Sequence, residues 1–210
     1  MTSGTVRQAR TRLARAAVVQ AARTLYLERG YAATTIEAVS ELSDVPPATV
    51  YRLFGSKLGI LRALLDVSVA GDDDDVAVAD RPQAREIAGD HDPRRQLAGY
   101  AGISCGIMSR TEPLYRILVS AAGSDPEAAA LLAERTRQRQ QGQGQIAGQL
   151  AAAGALRPGV NERDAADIIH ALMSPEVYRL LVGDRGWSPD RYQQWLTGTL
   201  IEQLLRPPIR

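Results

Sequence analysis

Residues 30–56 contain helix start and stop signals so closely spaced that only short helices fit between them. Gly30 suits the position just after a helix end, and Thr34-Thr35-Ile36-Glu37 has the form of a capping box with Thr34 as N-cap. Ser43-Asp44-Val45-Pro46 then interrupts the chain, because Asp favours turns and Pro cannot continue a helix. The segment predicts two short helices joined by a tight turn, over about 35–42 and 46–53.

The rest of the chain also favours helix over strand. Ala, Leu, Arg and Gln are abundant and aromatic residues make up only 5% of the sequence. Apolar residues at helical spacing predict a first helix from Arg7 to Arg29. Ser56 and Asp125-Pro126 are further start signals, Gly142 and Gly144 are expected to loosen their helix, and Pro175 is expected to kink or break another. We predict an all-α fold with further helices over about 56–70, 83–89, 94–109, 113–122, 126–153, 161–182 and 188–206.

A chain of 210 residues with 45% apolar content can hold one large domain, or a small one and a medium one. Gly71 and the acidic run Asp72-Asp73-Asp74-Asp75 mark a boundary, which we interpret as a solvated linker because the run lacks the spacing of a calcium loop. We predict an N-terminal domain over 1–55, a connecting helix over 56–70 and a larger helical domain over 71–210.

The charge of the chain is unevenly distributed. Residues 1–60 carry eight basic and four acidic groups, a net charge of +4, so the remaining residues carry −3 of the formal total of +1. Such asymmetry indicates a polyanion partner at the basic end, although an ordinary solvated surface would look the same. Cys105 is the single cysteine, and no signal sequence or long apolar stretch is evident, so we expect a soluble, cytoplasmic protein in a reducing compartment without membrane contact.

No set of residues typical of an enzyme is found. The chain has two histidines, His91 and His170, which are far apart, and it has neither a phosphate-binding loop nor a nucleotide-binding glycine fingerprint nor a nucleophile elbow. We expect no catalytic residue, no metal site and no cofactor. Cys105 is interpreted as a buried filler rather than as a redox sensor.

The two short helices resemble a helix-turn-helix, in which the second helix enters the DNA major groove. Gly30-Tyr31-Ala32-Ala33-Thr34-Thr35-Ile36 and Val45-Pro46-Pro47-Ala48-Thr49-Val50-Tyr51-Arg52-Leu53-Phe54-Gly55-Ser56-Lys57 closely resemble the tetracycline-repressor (TetR) family. The resemblance covers about residues 10–70. It implies an N-terminal three-helix DNA-binding domain and a C-terminal helical domain for ligand binding and dimerisation.

The resemblance also implies roles for single residues. Thr34 and Thr35 open the first short helix, where free N–H groups and a hydroxyl can hold a phosphate. Tyr51 and Lys57 would contact phosphate too, Lys57 as a mobile charge at a helix N-terminus. Sequence would be read by Pro47, Ala48, Thr49 and Arg52. Arg52 suits a bidentate guanine contact, although a phosphate contact or a solvated charge remains open.

Two features depart from the family pattern. Ser43-Asp44 stands in the turn where many relatives have Ala-Gly, but Asp tolerates the left-handed region better than most residues. Pro46-Pro47 removes two backbone donors at the start of the second short helix, so a phosphate contact made there by relatives through N–H is in doubt. Val45, Val50, Leu53 and Phe54 are expected in the core.

The larger domain is expected to form a homodimer and to bind a small apolar or amphipathic effector. Dimer contacts are expected from two C-terminal helices, with burial inside one protomer as the alternative. The residues are Ile169, Leu172, Leu180, Leu181, Tyr192, Trp195, Leu196, Leu200 and Leu204. Candidate walls of the effector pocket, although any one such residue is more often a plain core residue, are Tyr100, Ile103, Met108, Tyr115, Leu118, Leu131 and Ile146.

The sequence thus predicts a DNA-binding transcriptional repressor that a small molecule releases from a pseudo-palindromic operator. Two alternatives have the same sequence features: a regulator that senses no ligand, and an activator.

Overall fold

The computed structural model describes residues 3–71 and 77–207, with side chains from Val6 onward. These residues form an all-helical fold, as predicted, and their one extended pairing is an isolated bridge between Leu156 and Leu205. The acidic run at 72–75, predicted as a linker, lies outside the described residues. The α-helices are α1 (Ser3–Ala33), α2 (Ile36–Ser43), α3 (Pro47–Phe54), α4 (Lys57–Ala70), α5 (Pro82–Gly89), α6 (Pro93–Ala122), α7 (Pro126–Ala152), α8 (Glu162–Leu172), α9 (Pro175–Tyr178) and α10 (Pro189–Leu204). A 3₁₀ turn spans Val78–Asp80, and a π-helical segment spans Arg179–Asp184.

Most predicted helix boundaries are confirmed by capping contacts. Ser56 caps α4, because its hydroxyl accepts a hydrogen bond from the Gly59 N–H at 3.1 Å. The Asp125 carboxylate caps α7 by accepting from the Glu127 N–H at 2.9 Å. The break at Pro175 is also confirmed, since α8 ends at Leu172 and α9 starts after an Ser174 N-cap.

One predicted interruption is wrong. The chain does not break between 109 and 113, because α6 continues through Pro113 with Leu114 and Leu118 fully buried on one face. Packing of that face outweighs the local cost of an internal proline. Helix α7 is continuous through Gly142 and Gly144, as the predicted helix over 126–153 requires. Between them, the buried Gln143 amide donates to the Met173 carbonyl at 3.3 Å, which anchors the helix locally.

The helices form two compact units. The first comprises the described residues up to Val69 together with Pro113–Ala133. Its core is formed by apolar side chains of α1–α4 and of the parts of α6 and α7 that belong to it. The largest fully buried members are Tyr26, Ile60, Leu61, Leu64, Leu114, Leu118 and Leu131. This core fixes α2 and α3 on α1 and α4, and thereby positions the helix-turn-helix.

The second unit comprises Ala70–Glu112 and the chain from Glu134 onward. Its core lies among α6, α7, α8 and α10, with Leu97, Leu150, Ile169, Tyr192 and Leu196 fully buried. Tyr192 contacts Tyr178 edge to face with ring centroids 4.9 Å apart, and its hydroxyl donates to the Leu172 carbonyl at 3.2 Å. These contacts join α10 to the ends of α8 and α9.

Candidate nucleic-acid interface

The first helix of the helix-turn-helix is capped by Thr35. Its hydroxyl accepts from the Ala38 N–H at 3.1 Å, and its backbone is extended. The prediction of Thr34 as N-cap is therefore wrong by one residue, and Glu37 is not at the capping-box position. Thr34 is 0% exposed and its hydroxyl donates to the Gly30 carbonyl at 2.8 Å, so it has no surface for a DNA contact. Thr34 instead fixes the bend between α1 and α2.

Ser40 holds the turn between α2 and α3. Its carbonyl accepts from the N–H groups of Asp44 and Val45, and its hydroxyl donates to the Val45 carbonyl at 2.7 Å in a buried position. Asp44 is the one non-glycine residue with positive φ in the described chain, at φ 54° and ψ 31°. The prediction that Asp44 takes the left-handed conformation is thus confirmed. The role of Ser40 was missed, because a serine in a short helix carries no sequence signal for it.

Helix α3 turns its polar residues outward. Val50 is fully buried and Val45 is buried, as predicted, whereas Leu53 and Phe54 are only half-buried. Pro47, Ala48 and Arg52 are exposed, Thr49 is half-buried and Tyr51 is 50% exposed. The side chains predicted to contact DNA from α3 therefore share an accessible surface. Which of them contacts bases stays a prediction.

Arg15 of α1 supports the C-terminal end of α3. Its guanidinium donates to the Leu53 carbonyl at 3.2 Å and lies 4.8 Å from the centroid of the Phe54 ring. A cation at this end of a helix is favourable, because the last carbonyl groups carry partial negative charge. This role of Arg15 could not be predicted from the sequence, because no local pattern pairs it with a residue 38 positions away.

Lys57 joins the start of α4 to the end of α1. Its ammonium donates to the Tyr31 carbonyl at 2.8 Å and lies 4.2 Å from the Tyr31 ring centroid. Desolvation by burial lowers the pKa of Lys57, and the charge of Asp125 opposes that shift. The expectation of a mobile charge is therefore corrected: Lys57 is held by α1. Burial, followed by the charge of Asp125, raises the pKa of Tyr31 to about 12.

A groove runs between the N-terminal half of α1 and α3, and we call it the arginine groove. Its volume is about 660 Å³. Helix α1 contributes Val6, Arg7, Arg10, Thr11 and Ala14, and α3 contributes Thr49, Arg52 and Leu53. None of these lining residues is acidic. The groove thus places two α1 arginines beside two residues predicted to read DNA sequence.

The predicted dimer residues fall into two groups. Ile169, Tyr192, Leu196, Leu200 and Leu204 are fully buried within one protomer. Their assignment to a dimer interface is corrected, because Ile169 of α8 and the step-of-four stripe of α10 are buried in the core of their own unit. The predicted residues that keep accessible surface are Leu172, Leu180, Leu181 and Trp195.

The structure divides the predicted pocket walls between two cores. Leu118 and Leu131 are fully buried in the first unit, and Tyr115 is half-buried there. Met108 and Ile146 are buried in the core of the second unit, with Tyr100 half-buried against it. Ile103 is half-buried.

The remaining candidates are isolated. Cys105 is a buried free thiol whose pKa is raised by burial and then by the charge of Asp190. No group of three His, Cys, Asp or Glu side chains that could hold a metal occurs in residues 3–71 and 77–207. Across the same two ranges, every helix is too short or too polar to cross a membrane.

Comparison with known proteins finds a family match over the helix-turn-helix. Residues 18–64 match the family model described as bacterial regulatory proteins, tetR family. The match covers 47 of the 210 residues, so it shows the likeness for this segment of the chain. The matched segment contains α2, the turn, α3 and the Thr35, Tyr51 and Lys57 positions. The likeness to known bacterial regulatory proteins thus covers most of the residues predicted to bind DNA.

Solved structures share the fold. A regulator of Saccharomonospora viridis in complex with choline is 20% identical with a TM-score of 0.70, covering 92% of this chain and 98% of its own. NalD of Pseudomonas aeruginosa, the secondary repressor of the MexAB-OprM multidrug efflux pump, is 22% identical with a TM-score of 0.66, covering 92% and 97%. At these identities the likeness shows the fold alone. No curated protein is significantly similar in sequence.

Proposed function

We propose that this chain is a TetR-family repressor that binds a pseudo-palindromic operator as a homodimer and is released by a small molecule. The observation that carries the proposal is the exposed face of α3, where Tyr51 and Arg52 stand opposite the buried Val50. Such a face is what a recognition helix presents to the major groove. Residues 1–55 would bind DNA, residues 56–70 would connect the two domains, and residues 71–210 would dimerise and bind the effector. The protein would act in the cytoplasm, where the operator lies.

Phosphate contacts are assigned to Thr35, Tyr51 and Lys57. Thr35 lies at the N-terminus of α2, where free N–H groups favour an anion. Tyr51 exposes its phenol, and Lys57 keeps a third N–H donor beyond its two contacts with the carbonyls of Tyr31 and Ala32. These contacts would set affinity and register but carry no sequence information.

Sequence reading is assigned to Pro47, Ala48, Thr49 and Arg52. A bidentate Arg52–guanine contact would discriminate against a wrong base by about 1–3 kcal/mol. Pro47 and Ala48 are exposed and short, which suits close approach and contact with a thymine methyl group.

A homodimer fits this mode of binding, because two recognition helices about 34 Å apart read the two halves of a pseudo-palindrome. The interface would use Leu172, Leu180, Leu181 and Trp195. Leu180 is 49% exposed, so its side chain is accessible to a second copy.

Release by an effector would work through α4. A ligand in the second unit that binds the DNA-incompetent state more tightly would shift α4 and change the spacing of the recognition helices. The contacts of Lys57 with α1 would carry a movement of α4 to the DNA-binding domain. The choline complex of the Saccharomonospora protein supports a small ligand, and NalD supports repression.

A regulator without an effector is the second candidate. It is favoured by Leu118 and Leu131, two predicted pocket walls that instead fill the core of the first unit.

The test combines binding and expression. Fluorescence polarisation with duplex DNA from upstream of the chain's own gene should show saturable binding that excess unlabelled specific duplex abolishes and scrambled duplex does not. A reporter driven by that DNA should rise when the regulator is deleted; a fall would identify an activator. Release of the duplex by one member of a metabolite panel that includes choline would support the effector, whereas a panel without effect on a folded dimer would favour the second candidate.

A further inference from the structure

We propose that Arg7 and Arg10 of α1 each bind a DNA phosphate beside the base pairs that α3 reads, so that the arginine groove holds one strand of the sugar–phosphate backbone. The inference rests on the proposed DNA binding by α3, and it adds a second helix to the interface.

The spacing of the arginines places them on one helix face. Arg10 and Thr11 lie three and four residues after Arg7, Ala14 lies four residues after Arg10, and all of them line the arginine groove. Because the opposite wall is α3, both guanidinium groups lie on the side of α1 that faces the recognition helix. The basic charge of the N-terminal segment is thus partly concentrated next to α3.

The groove offers positive charge without an internal partner. Arg7, Arg10 and Arg52 are exposed, and among the described residues no carboxylate forms an ion pair with any of them. Three guanidinium groups around one groove repel each other, and a polyanion would relieve that repulsion. Arginine suits phosphate because its planar fork can donate two parallel hydrogen bonds to one phosphate group.

The helical structure of α1 favours phosphate groups over the DNA minor groove as the target of Arg7 and Arg10. Proteins that read the minor groove with N-terminal arginines do so through extended arms. Here α1 is already helical at Ser3, so Arg7 and Arg10 project from a helix and not from an extended arm. A thick helix cannot follow the narrow minor groove, but its side chains can reach the backbone that borders it.

The test is the salt dependence of binding by the full chain. Each phosphate contact contributes about 0.9 to the slope of log K against log salt concentration. We expect Arg7→Ala and Arg10→Ala each to lower that slope by about 0.9 per half-site, and the double variant to lower it by about 1.8. The ratio of wild-type to double-variant affinity should then be about tenfold larger at 50 mM than at 200 mM salt for each half-site.

The matched control is Arg12→Ala. It removes the same charge from the same helix, but Arg12 is exposed and does not line the arginine groove. Its slope should stay close to that of the wild type. Thermal unfolding by circular dichroism should show unchanged stability for all these variants, because the three side chains are exposed.

Two duplexes distinguish this inference from the proposed function. One is selected by the wild-type chain from a random-sequence pool, and the other is a scrambled duplex of equal length. Because phosphate contacts carry no sequence information, the slope should fall equally on both. A chain with no preference between the duplexes would contradict the proposed function, while the slopes on either duplex would still decide the inference. The phosphate assignment would be overturned if Arg12→Ala and the two groove variants had equal slopes. It would also be overturned if the groove variants lost affinity only for duplexes with A·T-rich flanks.

Discussion

The turn of the helix-turn-helix should depend on Ser40 more than on any other serine nearby. Ser40 is 9% exposed, and its hydroxyl donates to the carbonyl of Val45, which is also buried. Ser40→Ala would leave that buried acceptor without this donor, at a cost of about 1–3 kcal/mol. Alanine would return about 0.5 kcal/mol through its higher helix propensity, so we expect a net loss of about 0.5–2.5 kcal/mol.

Urea denaturation followed by circular dichroism measures this loss as a lower midpoint with an unchanged slope. Ser43→Ala is the matched control, because it makes the same change in the same helix. The Ser43 hydroxyl donates to the Ser40 carbonyl over 3.3 Å in a half-buried position, so its removal should cost under about 0.5 kcal/mol. If the two variants were equally stable, Ser40 would not hold the turn and this reading of the contact would be refuted.

Three further predictions concern stability and assembly. Asp44→Gly should raise the free energy of unfolding by about 0.5 kcal/mol and Asp44→Ala should lower it, because the residue has φ 54°; urea denaturation of both checks the sign. The pKa of Tyr31 is raised to about 12, so the folded chain keeps a proton that the unfolded chain releases near pH 10. The contribution of Tyr31 to the free energy of unfolding is therefore present below pH 10 and falls as the pH rises towards 12. The unfolding midpoint should decline over this pH range, and Tyr31→Phe should weaken the decline. Leu196→Ala should cost about 2–5 kcal/mol of stability, whereas Leu180→Ala, at an exposed site, should leave the protomer stable and weaken self-association in analytical ultracentrifugation.

Local signals predicted the fold well where they were strong. The turn at Ser43-Asp44, the start of α4 after Ser56 and the start of α7 after Asp125 follow from short-range hydrogen bonding and backbone preference, which sequence displays directly. The continuity of α6 through Pro113 could not be predicted in this way. It depends on Leu114 and Leu118 being buried by residues distant in sequence.

The interface was predicted in outline and less well in detail. The motif identified α3 and its exposed face, but Thr34 and Thr35 are adjacent hydroxyl residues that a capping pattern cannot separate. The contacts of Arg15 and the arginine groove depend on how α1 packs against α3, and no local sequence pattern encodes that packing. The apolar residues at every fourth position of α10 predicted that one face of this helix is apolar. The pattern does not distinguish burial of that face within the protomer from burial in a dimer.

The central claim is that the exposed face of α3 binds DNA. The most direct test is the affinity of the Tyr51→Phe variant for the selected duplex, measured by fluorescence polarisation beside the wild type. The Tyr100→Phe variant, which removes a hydroxyl of the second unit, is the control. Removing a hydrogen bond from the Tyr51 phenol to a charged phosphate should weaken binding by about 10- to 150-fold, corresponding to about 1.5–3 kcal/mol, while the control binds as the wild type does. Wild-type affinity in Tyr51→Phe, or equal losses in both variants, would contradict the claim.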